Sequence, residues 1–386
     1  MKQNRKEILK VNGTEKMCSL SVGETGEMCS TVNADTCGNL CIACEKTVKE
    51  NNRVLDKGGY DMRKIKWGVL GTAGIAKGQT IPGMVHAENC ELYAIAGRDM
   101  AKAKVYQEEF GFEKAYDSYE ALLEDPEVEA VYIPLPNTLH HEWTIKALEA
   151  KKHVLCEKPL APSAEQAEEM IAAANKNGVL LMEAFAYLHS PIVKAIREEL
   201  DAGVIGDILY MENAFITSDY DLSNIRMRRE TRGGCLYDLG CYNISQILWM
   251  FGEEPEKVMA VADYSEQNVD VLTTGFLTFK GGKRASFTCG MLLKTDADKR
   301  IDRLQIHGTR GYIRSDVEYN QCGELQYTVV VDDKEEIKTV SVPQNYRLEV
   351  EQLGRCIAEG EALHVSNEFT VKLARTMDRI LESIGY

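Results

Sequence analysis

The stretch "KIKWGVLGTAGIA", residues 64–76, decides the fold. Its first half is an apolar run that ends in glycine, the mark of a buried strand. A helix is predicted over the following "GIAKGQTIPGMVHA", broken late by Pro82, and "CELYAIAGR" reads as a second strand. Strand, helix and strand in this order make a β-α-β unit. The pattern then repeats: a helix over "DMAKAKVYQEEFG", a short helix opened by a capping box of Asp117 and Glu120, the strand "VEAVYIPLP", the helix "TLHHEWTIKALEAKK" and the strand "HVLCEKP". Ser163, with Gln166 three residues on, caps the next helix, and "GVLLMEAF" supplies a further strand. Strands alternating with helices at this spacing predict a doubly wound parallel sheet.

The first strand-to-helix turn spans Gly71, Thr72, Ala73, Gly74, Ile75 and Ala76. A dinucleotide site needs glycine at the tight turn, a small residue where backbone meets pyrophosphate, and a small residue where helix packs on strand. Gly71, Ala73 and Ala76 fill these places, and helix N–H groups then hold the phosphates. Ala73 departs from the usual second glycine, but Gly74 stands beside it. At the end of the second strand, "AGRDMAK" places Arg98 before Asp99, with Lys102 a turn later. A guanidinium beside the adenosine ribose suits a 2'-phosphate, so NADP is expected; Asp99 keeps NAD as the second choice.

Bulk properties bound the partners. With 386 residues, 44% of them hydrophobic, the chain is long enough for about two domains. No stretch approaches the roughly 18 apolar residues of a membrane helix, and "MKQNRKEILKVNG" lacks the apolar core of a secretion signal, so a cytoplasmic protein is expected. A net charge of -15 argues against nucleic acid and anionic membranes as partners and leaves small molecules.

Residues 1–61 read differently. They hold nine acidic and nine basic residues, little periodicity, and Cys18, Cys29, Cys37, Cys41 and Cys44. The last three could hold zinc or an iron-sulfur cluster; the plainer reading is free thiols in a flexible extension, with no metal site. The other cysteines, scattered singly, read as small core residues. In "DKGGYDM", the codons for Lys-Gly-Gly can spell a bacterial ribosome-binding sequence just before an ATG. The working protein is therefore expected to begin at Met62.

"WGVLGTAGIA", "PNTLHHEW", "CEKPL" and "GGCLYDLGCYN", in this order, resemble the glucose-fructose oxidoreductase, inositol dehydrogenase and MocA family. Within it, the chain resembles the branch holding dimeric dihydrodiol dehydrogenase, NADP-dependent xylose dehydrogenase and glucose-fructose oxidoreductase itself. The resemblance covers the chain from Met62 onward. It implies a Rossmann domain over 62–185 and a substrate-binding, oligomerising α+β domain over 186–386, assembled as a homodimer or homotetramer. Glu157, Lys158 and Pro159 would sit at the carboxyl edge of the sheet, with Lys158 reaching the reacting hydroxyl and Pro159 often cis. Pro134, Leu135, Pro136, Asn137 and His140 would lie near the nicotinamide half of the cofactor.

Asp238 and Tyr242, four residues apart on the second signature helix, face the same way. The resemblance implies Tyr242 as acid/base, with Lys158 polarising the substrate oxygen and lowering the phenol's pKa, and Asp238 orienting lysine or substrate. Lys158 as the proton carrier is the alternative. Tyr187 and His189 are expected near the cleft, and Arg226, Arg228 and Arg229 are either substrate contacts or solvated charges, Arg228 being the one assigned to substrate.

From about residue 207 the runs "DILYMENAFI", "EKVMAVADY", "LTTGFLTF", "RASFTCGMLL", "DRLQIHG" and "LQYTVVV" predict a large, mostly antiparallel open sheet. A last helix starts near Ser366, with Val371, Ala374, Met377, Leu381 and Ile384 as its buried stripe. The function expected is hydride transfer between nicotinamide and a secondary alcohol or lactol of a sugar or cyclic diol. A sugar–sugar oxidoreductase with tightly bound NADP, a non-catalytic nucleotide or ligand sensor, and a redox protein with a metal centre in its leader are the alternatives.

Overall fold

A computed structural model describes residues 6–11, 14–19, 63–218, 221, 223–293 and 300–386. The chain divides into two compact units, Met1–Asp61 and Met62–Tyr386. In the first, β1 (Lys6–Val11) pairs antiparallel with β2 (Thr14–Ser19). The leader's Cys29, Cys37, Cys41 and Cys44 and the start expected at Met62 lie outside the described residues. Among the described residues, no helix is long and apolar enough to cross a membrane. No described cluster of His, Cys, Asp and Glu could hold a metal.

The second unit opens with the parallel sheet. Its strands are β3 (Ile65–Leu70), β4 (Cys90–Ala96), β5 (Lys114–Tyr116), β6 (Ala130–Ile133), β7 (His153–Glu157) and β8 (Leu181–Ala184), in the spatial order β5-β4-β3-β6-β7-β8. The order reverses between β3 and β6, so a crevice opens beyond their carboxyl ends, where such sheets keep their ligands. Trp67 and Tyr132, both fully buried, fill the layer between sheet and helices. The connecting helices are α1 (Ile81–His86), α2 (Met100–Phe110), α3 (Tyr119–Glu124), α4 (Asn137–Glu149) and α5 (Ala164–Asn177).

Two local expectations need correction. Pro82 does not break its helix: the helical run over residues 74–86 is continuous, and a π-turn over Ala76–Thr80 directly before Pro82 loosens the hydrogen-bond ladder where the proline lacks an N–H. The cap of α3 is Ser118, whose Oγ accepts from Ala121 N, and not Asp117.

The other half of this unit is built on an eight-stranded sheet. Its members are β9 (Ile208–Ile216), β10 (Lys257–Tyr264), β11 (Asp270–Thr278), β12 (Arg284–Gly290), β13 (Ile301–Gly308), β14 (Gly311–Ser315), β15 (Gly323–Val331) and β16 (Lys334–Val342). They run in the order β10-β11-β12-β9-β13-β14-β15-β16, antiparallel throughout except for β12 on β9. The sheet is mostly antiparallel, as expected. Against it lie α6 (Pro191–Asp201), α7 (Cys241–Phe251) and α9 (Asn367–Ser383), whereas α8 (Asn345–Glu359) packs on α1 and on β3, β4 and β7 of the parallel sheet.

The sequence reading did not anticipate β14, β16, α6 and α8. β16 is an edge strand of mostly exposed, charged residues, so it carries no apolar alternation. α8 hides because its buried face includes Glu349 and Gln352 among Tyr346, Val350 and Leu353. The stripe of α9 also shifts: Thr370, Leu373, Thr376, Met377, Ile380 and Leu381 are buried, whereas Val371, Ala374 and Ile384 are half-buried. α9 packs against α5, α7 and β10, so its buried face is broader than a single stripe. Cys90, Cys156, Cys235, Cys241, Cys289 and Cys356 are buried, as read from the sequence, whereas Cys322 is exposed.

Candidate active site

A cleft of about 580 Å³ lies where the carboxyl ends of β3, β6 and β7 face the signature helix and the large sheet. One wall is the turn after β3. Gly71 takes φ +123°, a conformation that favours glycine, and turns the chain under Leu135. The first helical hydrogen bond beyond it runs from Lys77 N to Ala73 O (3.1 Å), which leaves the preceding amides without helical partners. A side-chain carbon added at Gly74 would touch nothing, so the turn presents open backbone to the cleft. That arrangement fits a dinucleotide pyrophosphate. Ala73, Gly74 and Ile75 line the cleft, with Gly71, Thr72 and Ala76 shaping the turn behind them. Arg98 and Lys102 stand exposed outside the cleft at the end of β4. Between them, Asp99 is committed to capping α2, accepting from Ala101 N (2.9 Å) and Lys102 N (3.3 Å).

The second wall is the "EKP" turn after β7. Buried Glu157 accepts from Tyr132 Oη at 2.5 Å, and Tyr132 accepts in turn from Thr80 Oγ1 at 2.9 Å, which ties the strand end to the cofactor helix. Burial raises the Glu157 pKa, and its hydrogen bonds and Lys158 offset this only in part. The Lys158–Pro159 bond is cis. Pro134, Leu135, Pro136, Asn137 and His140 line the cleft beside it. His140 is fully buried with its ring nitrogens facing the carbonyls of Pro159 (2.9 Å) and Leu135 (2.7 Å), so it staples the two wall loops together. A neutral imidazole donates to only one of them. Burial lowers the ring's pKa more than the carbonyls raise it.

The third wall is the signature helix. Gly234 takes φ +113°, and a side chain there would collide with Asp270. That closeness is used: Asp270 accepts from Leu236 N (2.7 Å), Thr273 Oγ1 (2.8 Å) and Cys235 Sγ (3.0 Å), capping the helix from a strand 34 residues away. A π-turn over Leu236–Gly240 then leads into α7. It sets Asp238 against Lys158, whose Nζ donates to Asp238 O (2.8 Å) and Oδ1 (3.3 Å). On its other side, Asp238 Oδ2 pairs with Arg226 Nε at 2.7 Å. Burial pulls the Lys158 pKa down, but Asp238, joined by Cys241 and Glu157, more than offsets it and the pKa is raised. For Asp238, burial pulls upward, and Lys158 and Arg226 together hold its pKa below the ordinary value.

Tyr242 lies in an aromatic nest. Its ring centroid is 4.9 Å from Tyr319, 5.5 Å from Tyr187 and Phe215, and 5.7 Å from Phe185. Such pairs each contribute about 1 kcal/mol beyond area burial and hold the ring in place. Its hydroxyl makes no hydrogen bond among the described residues. Lys158 Nζ sits over the ring, 4.6 Å from the centroid. The expected lowering of the phenol pKa is not found. Burial pushes it well above the ordinary value, with Glu157 adding to the effect, because the lysine faces the ring and is already paired with Asp238.

Some assigned residues lie elsewhere. Tyr187 does not line the cleft: its hydroxyl is held by Ser245 Oγ (2.7 Å) behind Tyr242, so it supports that ring. His189 is half-buried against His364, also away from the cleft. Arg228 is exposed, with its guanidinium toward Ser223 O (3.4 Å); of Arg226, Arg228 and Arg229 it is Arg226 that reaches the cleft, which Arg232 and Arg300 also line. Reasoning from sequence missed Tyr319, Arg300 and Asp270, whose strands and loops are brought in by the large sheet. It also missed Glu183, buried under the "EKP" turn, which accepts from Leu160 N (2.8 Å) and Thr370 Oγ1 (2.9 Å). No local motif marks these four.

Comparison with known proteins agrees with this architecture. Residues 65–185 match the family described as "Oxidoreductase family, NAD-binding Rossmann fold", GFO_IDH_MocA, and residues 193–314 match the "GFO/IDH/MocA C-terminal domain". The chain is 35% identical over 321 residues to D-xylose 1-dehydrogenase (NADP(+)) 2 of Haloferax volcanii, covering 82% of this chain and 96% of that one. It is 31% identical over 340 residues to trans-1,2-dihydrobenzene-1,2-diol dehydrogenase of Xenopus laevis, covering 83% and 98%. Among solved structures, KijD10, a 3-ketoreductase from Actinomadura kijaniata in complex with NADP and TDP-benzene, superposes with a TM-score of 0.78 at 31% identity, covering 83% and 98%. With its cleft, its two signatures and both halves matched, the chain belongs to the Gfo/Idh/MocA family of oxidoreductases.

Proposed function

We propose that the chain is an NADP-linked oxidoreductase that interconverts a secondary alcohol or lactol of a sugar, sugar derivative or cyclic diol with its carbonyl form. The observation that carries this reading is the meeting of Lys158, Asp238 and Tyr242 on the cleft into which the Ala73–Ile75 backbone opens. The Gly71–Ala76 turn would hold the pyrophosphate, Pro134 to Asn137 and Glu157 the nicotinamide half, and Arg98 with Lys102 a 2'-phosphate. The capping role of Asp99 favours NADP over NAD, since its carboxylate is already engaged by α2. Two of the relatives carry NADP in their names or complexes, which supports the same choice. When bound, the nicotinamide supplies a hydride acceptor for oxidation or a hydride donor for reduction.

The chain's own groups manage the proton and the charge. Lys158, kept as an ammonium by Asp238, donates to the reacting oxygen and stabilises negative charge there. Tyr242 Oη takes the hydroxyl proton in oxidation and returns it in reduction. With its pKa raised, the phenol holds its proton at neutral pH and is poised as the donor. The test is nicotinamide absorbance with NADP and then NAD, against aldoses, inositols, glycosides and a trans-dihydrodiol, for wild type and Tyr242→Phe. Turnover with NADP that drops about 1000-fold in the variant is expected. Equal rates in both proteins would remove Tyr242 from the chemistry, and silence across the panel would remove the reading itself.

A further inference from the structure

Four arginines, Arg226, Arg228, Arg229 and Arg232, stand ahead of the second signature in "NIRMRRETRGG", and the structure sends them to different places. Arg228 turns to Ser223 O. Arg229 donates to Asn268 O (2.9 Å) and lies over the Tyr386 ring (4.3 Å). Arg226 and Arg232 line the cleft, and of the two it is Arg226 that pairs with Asp238. Its backbone is fixed from both sides: Arg226 N donates to Asn224 Oδ1 (3.0 Å) and Arg226 O accepts from Gly234 N (2.8 Å). Gly233 belongs to the same latch, because a side chain there would strike the Arg226 carbonyl. The diglycine of the signature thus holds the arginine against Asp238.

The side chain uses only part of its donor capacity. Nε pairs with Asp238 Oδ2 at 2.7 Å, and the two Nη groups make no hydrogen bond among the described residues. The side chain remains 47% exposed, on the cleft side of the pair. Lys158, Asp238 and Arg226 therefore present a donor, an acceptor and a donor in a row. A vicinal diol complements that row, because the hydroxyl next to the reacting one can give its hydrogen to Asp238 and accept from a guanidinium Nη. A lone carboxylate has no hydrogen for Asp238, and an isolated alcohol leaves Arg226 unused.

We infer that Arg226 is a specificity-determining residue that selects substrates carrying a hydroxyl beside the carbon that reacts, acting together with Asp238. This rests on the oxidoreductase reading above. The test uses the NADP-loaded enzyme with D-glucose and 2-deoxy-D-glucose, which differ only in that hydroxyl for a reaction at the lactol carbon. Wild type is expected to prefer glucose by about 30-fold in kcat/KM, the scale of a hydrogen bond to a charged group. In Arg226→Gln the preference falls to within about threefold, because the loss on glucose exceeds the loss on the deoxy sugar. Arg226→Lys, which keeps the charge but not the fork, falls between the two.

Melting temperatures of the variants, expected within a few degrees of wild type, separate this from collapse of the loop. A preference that survives in Arg226→Gln, or equal slowing of both sugars, overturns the role of Arg226. If wild type oxidises neither sugar yet turns over another alcohol of the panel, the same comparison is made between that alcohol and its analogue lacking the neighbouring hydroxyl; equal kcat/KM for the two overturns the vicinal assignment while the oxidoreductase reading stands. No turnover of any alcohol overturns both.

Discussion

The Lys158 ammonium lies 4.6 Å from the centre of the Tyr242 ring, over its face, and its hydrogen bonds go to Asp238. The lysine therefore does little to make the phenolate, and burial keeps the phenol pKa well above its ordinary value. Alcohol oxidation by wild type should rise about tenfold per pH unit up to at least pH 9, since only the phenolate accepts the proton. Tyr242→Phe should flatten that slope. A plateau below pH 8 in the wild type would show that another group carries the proton.

Asp238→Asn tests what keeps Lys158 charged. Burial pulls the lysine pKa down and Asp238 is the main group opposing it, so the variant's lysine should lose its proton at lower pH. The pH–rate profile, open at its alkaline end in wild type, should bend over in the variant. A fall of about 100-fold in kcat/KM is expected at neutral pH, with roughly 3 kcal/mol less stability because one partner of a buried pair is removed. Parallel pH profiles in the two proteins would contradict the pairing.

Glu183 gives a prediction about stability. Burial pushes its pKa from 4.5 to about 7, while its hydrogen bonds to Leu160 N and Thr370 Oγ1 pull the other way. Between these two values the folded state holds a proton that the unfolded state has released, so stability falls as pH rises through this window. Above pH 7 the full penalty, about 3 kcal/mol, is in place. Glu183→Gln, which still accepts from Leu160 N, should melt higher than wild type at pH 8 and lose most of the dependence between pH 5 and 7. Thermal melts at a series of pH values measure it.

Gly234→Ala should be among the most damaging small substitutions. The position has φ +113°, and the added carbon would collide with Asp270, which caps the signature helix. A loss of about 3 kcal/mol or more is expected by denaturant unfolding. Unchanged stability would mean that the turn relaxes freely.

Arg98→Ala should raise the KM for NADP by about 10- to 100-fold and leave that for NAD nearly unchanged, the scale of a lost charge-assisted bond to a 2'-phosphate. Equal effects on both cofactors would place Arg98 away from that phosphate.

Much of this molecule is legible in short stretches. The alternation of strands and helices from Ile65 to Ala184, the glycine turn at Gly71 and the placement of Lys158 just beyond a buried strand depend on local backbone requirements, which neighbouring residues express directly. The large antiparallel sheet was legible as a class. Its edge strand β16 and the helix α8 were not, because an exposed charged edge and a helix with a buried glutamate break the apolar pattern that reveals such elements.

What only the tertiary structure decided is the direction of side chains carried by distant elements. Asp270 caps the signature helix from another strand, Tyr187 backs Tyr242 instead of facing the cleft, and Arg226 rather than Arg228 closes on Asp238. The sequence by itself determined which groups the chain owns and which turns must carry them, because chain geometry acts over a few residues. Which of those groups meet depends on how two sheets and a latched loop pack, and that packing also turned the lysine onto the face of the tyrosine ring.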